Sequence, residues 1–293
     1  MKRSKCLTRQ TLYNPSNPSS PSISYKYTIT AANLRESKSD TSNILAVIPA
    51  DTRVQVLDAE EDWYLVLYNT LQGYIYMPRL STTKYPFRDA LLRSYPAAES
   101  NPLAIVPRGS EVQVLSVNGD WSQVIFNNRT GYIFSYFLTD DGNPPDAYDF
   151  TYFYTDMTRF VNENNIKSPT TNLITTDLQN KLTYVFVRNA NGIWEQLYKW
   201  PCTVGAPETP TIRGTFYVTG RKPYFGTDYY RVKYATRIMG SYYYHSVLFN
   251  PQGTEITNGS LGLALSHGCI RLAVENAQWI YDNILDSTAI IIN

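Results

Sequence analysis

Val54-Gln55-Val56-Leu57 returns 58 positions later as Val112-Gln113-Val114-Leu115, and this repetition decides how the first half of the chain is built. At the same offset Leu34-Arg35 recurs as Leu92-Arg93, Pro49 as Pro107, Asp62-Trp63 as Asp120-Trp121, and Gly73-Tyr74-Ile75 as Gly131-Tyr132-Ile133. A fixed period without insertions means two copies of one small unit, over residues 25–82 and 83–140. Within each copy, short alternating runs such as Val54/Val56 and Tyr64/Val66/Tyr68 are separated by turn-forming segments such as Val117-Asn118-Gly119-Asp120. Period-two alternation over so few residues predicts short strands with one buried face, and so a small antiparallel β barrel in each copy.

The whole chain has 293 residues, enough at roughly 100 to 200 residues per domain for more than one core. Lys plus Arg number 26 against 25 Asp plus Glu, a balance that supplies no field for a polyphosphate and excludes nucleic acid as a natural partner. With 43% apolar and 17% charged residues the chain is globular, and 25 Tyr, 11 Phe and 5 Trp favour a mainly β protein. No stretch approaches the ~18 consecutive apolar residues of a membrane span. Residues 1–24, rich in Ser, Pro and Asn, read as a flexible leader. Its start, Met1-Lys2-Arg3-Ser4-Lys5, has the charge of an export signal, but Thr8, Arg9, Gln10 and the Pro/Ser run after them replace the apolar stretch that should follow.

Asp140-Asp141-Gly142-Asn143-Pro144-Pro145 ends the repeats, since these residues oppose both helix and central strand. Over 141–170 a linker leads into a connecting helix, because Phe150, Phe153, Tyr154, Met157, Phe160 and Val161 fall at helical spacing. From 171 to 293 alternation returns: Leu182, Tyr184 and Phe186 share a face, and Asn189-Ala190-Asn191-Gly192 turns the chain into a strand running through Trp200.

The chemistry gathers in this last region. The only two histidines, His245 and His267, lie close in sequence to Cys269, within Tyr244-His245-Ser246 and Ser266-His267-Gly268-Cys269-Ile270-Arg271. A thiol becomes a nucleophile when an imidazole takes its proton, and a thiolate–imidazolium pair at neutral pH is the expected arrangement. Gly268 permits an unusual backbone angle before the sulfur. Val274, Ala277, Tyr281, Ile284 and Leu285 have helical spacing, which places Cys269 just ahead of a helix N-terminus whose dipole favours a thiolate. The alternative for a lone cysteine is an inert buried thiol. Cys202 is read that way, with no histidine left to activate it, and Cys6 sits in the leader. The three cysteines have no metal-knuckle or disulfide-framework spacing, and neither metal nor cofactor is expected.

The order Leu-Arg, Val-x-Val, Asp-Trp, Gly-Tyr-Ile in each copy resembles the bacterial Src-homology-3-type (SH3-like) domain, which implies either wall tethering or packing against an enzyme. Trp63 and Trp121 are then ligand-stacking residues or plain packing residues. The Ser266 to Arg271 segment, the upstream His245-Ser246, and Thr209-Pro210-Thr211-Ile212-Arg213-Gly214-Thr215-Phe216 resemble the signature of the L,D-transpeptidase catalytic domain. Together the resemblances imply two SH3-like β barrels followed by a β-sandwich-like catalytic domain with a few helices. They further imply that Cys269 attacks the carbonyl between the third and fourth residues of a peptidoglycan stem peptide. D-Ala leaves, and a second stem's amine resolves the thioester into a 3→3 cross-link. By the same resemblance His245 is the general base, the Ser246 carbonyl orients its ring, and the amides around Gly268 and Cys269 form the oxyanion hole. His267, Arg271, Ser266 and Tyr244 shape the site and contact substrate. Two departures stand out: the His245 to Ser266 interval is long, implying an enlarged loop over Pro251 to Gly259, and Arg271 stands where some members carry Asn.

Three alternatives remain weighed against this reading. Water in place of the amine gives an L,D-carboxypeptidase. Loss of activity gives a non-catalytic wall-binding protein. A papain-like endopeptidase would place its nucleophile before its base, whereas here His245 precedes Cys269. A monomer exported to the bacterial cell envelope is expected.

Overall fold

The computed structural model describes residues 24–145 and 147–293. The chain divides into two compact units, one ending at Ser81 and one running from Thr82 to Asn293. All of the expected leader except Ser24, and with it Cys6, lies outside the described residues.

In the first unit six antiparallel strands run across the sheet in the order Ser24–Tyr27, Arg53–Glu60, Trp63–Tyr68, Leu71–Tyr76, Ala32–Arg35, Ile44–Ile48. The inward positions of the alternating runs, Leu34, Val54, Val66 and Ile75, close its core. Gly73 recurs as Gly131 because the chains pass too closely for a side chain. A Cβ on Gly73 would stand 2.6 Å from the Arg35 carbonyl oxygen, and one on Gly131 would stand 2.8 Å from that of Arg93.

The second copy repeats this sheet from Thr82–Pro86 onward and closes with Leu138–Thr139. Its core does not stop at its own edge. Ala90, Leu92, Val124, Phe134 and Phe137 belong to one apolar cluster with Phe153, Phe160, Leu173, Phe186, Tyr217 and Ile291 of the following segments.

Helix α1 (Met157–Glu163) is shorter than the apolar spacing predicts. Asp156 caps it by accepting the Arg159 N–H at 3.0 Å, and residues 151–155 form turns instead. The aromatic positions before the cap are still used: Phe153 is buried, and the Phe150 ring stacks on Phe160 at 5.3 Å.

Two larger sheets and a two-stranded one, Val204–Gly205 beside Ala264–Ser266, make up the remaining fold. One has the order Trp194–Pro201, Leu182–Arg188, Asn172–Asp177, Ala289–Ile292, Gly214–Tyr217. Its inner strand Ala289–Ile292 is buried on both faces, which explains the unbroken run Ala289-Ile290-Ile291-Ile292. Ala289 and Ile291 join the cluster shared with the second copy, while Ile290 and Ile292 face the opposite core. The other sheet contains Arg231–Met239, Tyr242–Ser246 and Ile270–Leu272, with helix α2 (Val274–Asn283) packed on it. The segment expected as an enlarged loop forms a small hairpin of Leu248–Phe249 and Ile256–Asn258.

Candidate active site

His245 and Cys269 are brought together by two neighbouring parallel strands. Tyr242–Ser246 pairs with Ile270–Leu272 in the register Tyr244↔Ile270, His245↔Arg271, Ser246↔Leu272. Cys269, one residue before the second strand, lines a cavity of about 140 Å³ with His245, His267, Arg271, Phe225 and Tyr230. Ser266 and Leu248 complete the lining.

His245 is 4% exposed, and its Nδ1 lies 2.6 Å from the Ser246 carbonyl oxygen. A carbonyl only accepts, so Nδ1 carries the proton and Nε2 is the basic nitrogen. The Phe225 ring meets the imidazole edge-on at 5.5 Å. Burial holds the His245 pKa down to about 4; the nearby Arg271 charge lowers it further, against the opposing Ser246 bond. Burial pushes the Cys269 thiol above its ordinary value, opposed by a backbone hydrogen bond from Tyr243 and by the Arg271 charge. The thiol also lies 3.5 Å from the Ser241 carbonyl, to which it donates.

Both shifts run against the expected resting ion pair: burial and the Arg271 charge disfavour the cation on His245, and burial disfavours the thiolate on Cys269. The helix dipole does not rescue the thiolate either. Strand Ile270–Leu272 separates Cys269 from α2, and the dipole fades beyond the first turn.

The loop before the sulfur is tightly made. Gly268 has φ +103°, and a Cβ there would stand 2.6 Å from the Tyr242 ring and 3.3 Å from the Pro210 carbonyl oxygen. Only glycine fits on both counts. The Ser266 hydroxyl accepts the Gly268 N–H at 3.1 Å and donates to the Cys269 carbonyl at 2.5 Å. Thr209 donates its hydroxyl to the Ser266 carbonyl at 2.9 Å, so the Thr209–Phe216 segment braces this loop.

The oxyanion expectation narrows accordingly. Gly268 N–H is spent on Ser266, which leaves the Cys269 N–H as the amide of this pair without a partner among the described residues. Ser266 uses its hydroxyl within the loop and positions it. His267 is exposed at the cavity rim. Arg271 is 8% exposed, and its Nε has no partner among the described residues. Tyr244 is a correction: expected at the substrate, it is fully buried, and its hydroxyl bonds Thr176 at 2.8 Å in the opposite core. Successive strand residues face opposite ways, so a neighbour of His245 points away from the cavity.

Cys202 is fully buried, and its pKa is pushed up to about 12 by burial. Among the described residues no group of three His, Cys, Asp or Glu is placed to hold a metal, and no helix is long and apolar enough to cross a membrane. Sequence reasoning missed Phe225 in strand Arg221–Gly226, Tyr230 just before strand Arg231–Met239, and Leu248 in strand Leu248–Phe249, which line the cavity, and Ser241 and Tyr243, which act through backbone atoms. Only the aromatic run Tyr242-Tyr243-Tyr244 beside His245 offered a signal.

Residues 171–292 match the family model for the L,D-transpeptidase catalytic domain, and residues 30–81 and 89–139 match that for the bacterial SH3 domain. The Bacillus subtilis protein YciB, a candidate L,D-transpeptidase, is 34% identical over 92 residues, 28% of this chain and 46% of that protein. The chain therefore spans about half the length of that curated relative. Among solved structures, a Clostridium acetobutylicum protein described as a fused Zn-dependent amidase/peptidase/peptidoglycan-binding domain-containing protein is 41% identical, with a TM-score of 0.40 over 47% of this chain and 58% of that one. An L,D-transpeptidase from Mycobacterium smegmatis is 22% identical, with a TM-score of 0.39 over 66% of this chain and 70% of that one.

Proposed function

Because residues 171–292 are an L,D-transpeptidase catalytic domain and the two repeats are bacterial SH3 domains, we propose that the chain is a cysteine transpeptidase of peptidoglycan, acting outside the cytoplasmic membrane. The observation that carries this reading is the shared cavity of Cys269 and His245, with Nδ1 of the histidine tied to the Ser246 carbonyl.

The proposed reaction starts from the neutral pair. As the Cys269 sulfur attacks the carbonyl joining the third and fourth stem residues, His245 Nε2 takes the thiol proton. The oxyanion forms beside the Cys269 N–H and the Arg271 guanidinium. When the C–N bond breaks, His245 returns the proton to the departing amine of D-Ala, leaving a thioester on Cys269. A second stem's amine then attacks the thioester, giving up a proton to His245, and the new 3→3 amide releases the thiol, which recovers its proton. Transfer to water instead yields a shortened stem. A cavity of about 140 Å³ encloses only the reacting end, so the rest of the stem lies along its rim by His267.

Intact-protein mass spectrometry after mixing with a disaccharide-tetrapeptide tests this, with Cys269→Ala alongside and small products taken from the same tube. An adduct and D-Ala release that vanish in the variant are expected. A dimer product marks cross-linking and a tripeptide marks trimming. A folded protein that gives neither adduct nor product across several third-position stem chemistries would move the assignment to a wall-binding protein.

A further inference from the structure

A second cavity lies away from the catalytic one. It measures about 470 Å³, lies where the second SH3-like copy meets the catalytic sheets, and shares no lining residue with the catalytic cavity. Leu91 and Phe137 line it from the repeat, and Tyr217 and Asp286 from the catalytic domain. Its unusual member is Arg88. This guanidinium lies 4.0 Å from the Tyr217 ring centroid and 5.0 Å from that of Phe137. Its one hydrogen bond among the described residues runs from Nε to the Asp89 carbonyl at 3.3 Å, and no ion pair is formed. Both nearby carboxylates have other work. Asp89 accepts the Arg108 N–H at 2.8 Å, and Asp286 pairs with Arg221 at 2.5 Å.

The terminal N–H groups of Arg88 are thus held on two rings without an acceptor. Tyr217 contributes its ring to the lining: the residue is 4% exposed, and its hydroxyl is buried without a partner among the described residues. A planar guanidinium held over rings, with its terminal N–H groups free of protein acceptors among the described residues, is suited to a two-pronged carboxylate. The internal repeat supplies a control. At the equivalent positions the first copy has Thr30 in place of Arg88 and Arg79 in place of Phe137, so the first copy lacks this pairing of cation and ring. The volume lies in the range of small-molecule sites.

We propose that this seam cavity is a binding site for a small carboxylate with an apolar or ring-shaped body, received by Arg88 against Tyr217 and Phe137. The site is separate from turnover, so it is tested in the full chain carrying Cys269→Ala, by calorimetric titration. The probe is N-acetylmuramic acid, and N-acetylglucosamine serves as the related ring without the carboxylate. Saturable binding of the acid alone is expected. It should weaken about ten-fold or more in Arg88→Leu and a few-fold in Arg88→Lys, which keeps the charge but loses the fork. Equal binding of both sugars overturns the proposal. So does binding that survives Arg88→Leu and disappears in Arg271→Gln, which would put the carboxylate in the catalytic cavity. Binding of neither sugar, together with a lowered melting temperature in Arg88→Leu, would make Arg88 a clamp between rings and likewise overturn it.

Discussion

The two SH3-like copies have one strand plan and two fates. In the first, Leu34, Val54, Val66 and Ile75 close a core within residues 32–80. In the second, the same positions feed a cluster that continues through α1 into the central sheet of the catalytic domain. The sequences diverge where that junction requires it. Exposed Tyr76 becomes buried Phe134, exposed Arg79 becomes Phe137 with its ring 4.9 Å from Tyr217, and half-exposed Leu57 becomes buried Leu115. Arg35 and Arg93 make the same bond, to the Ser42 and Ser100 carbonyls at 2.8 and 2.6 Å, but Arg93 adds one to Ser287 of the catalytic domain at 2.9 Å. One strand plan thus serves two modules, and a handful of surface positions make the second a wall of the domain that follows it.

Truncation puts that contrast under the heaviest strain. Removing residues up to 81 is expected to leave a cooperatively folding protein with thiol-dependent turnover, whereas removing residues up to 140 exposes Phe153, Phe160 and Phe186 and abolishes folding. Circular dichroism melts of both truncations check this, and a stable, active product of the longer deletion would break the comparison. Phe137→Ala should cost about 3 to 5 kcal/mol, against about 0.5 kcal/mol or less for Arg79→Ala, measured by denaturant unfolding.

Acid separates the units next. His245 is buried with its pKa lowered from 6.5 to about 4, so the unfolded chain binds the extra proton across that window. Its contribution is fully present above pH 6.5, declines as pH falls, and amounts to about 3 kcal/mol lost by the time pH is below 4. The first unit has no histidine among its residues and should show no such loss between pH 6.5 and 5 in melts followed unit by unit. Smallest is the arginine pair: Arg93→Ala should destabilise by about 1 kcal/mol more than Arg35→Ala, the worth of the additional Ser287 bond. Equal costs would mean that the seam hydrogen bond contributes nothing.

How much of this was legible follows from where each contact is made. The repeat was readable because Leu34, Gly73 and their counterparts contact residues of their own copy. The merger was not, because the exchange of Arg79 for Phe137 is visible in the sequence but its partner Tyr217 is remote in the chain. At the site, Cys269, Gly268 and His245 stand in short local patterns that name themselves. Phe225, Tyr230 and Leu248 arrive through strand pairing, which one sequence does not encode locally. Tyr244 was misread although strand alternation alone turns it from the cavity. The dipole argument failed because Ile270-Arg271-Leu272 forms a strand and not the approach to a helix.

Keeping Cys269 protonated at rest also bears on durability. Peroxides attack the thiolate and spare the thiol, so burial that keeps the proton on Cys269 makes its sulfur a slow target for sulfenic acid formation. Cys202, still further from ionisation, is safer again. Both thiols are thereby shielded from oxidation for as long as they stay un-ionised.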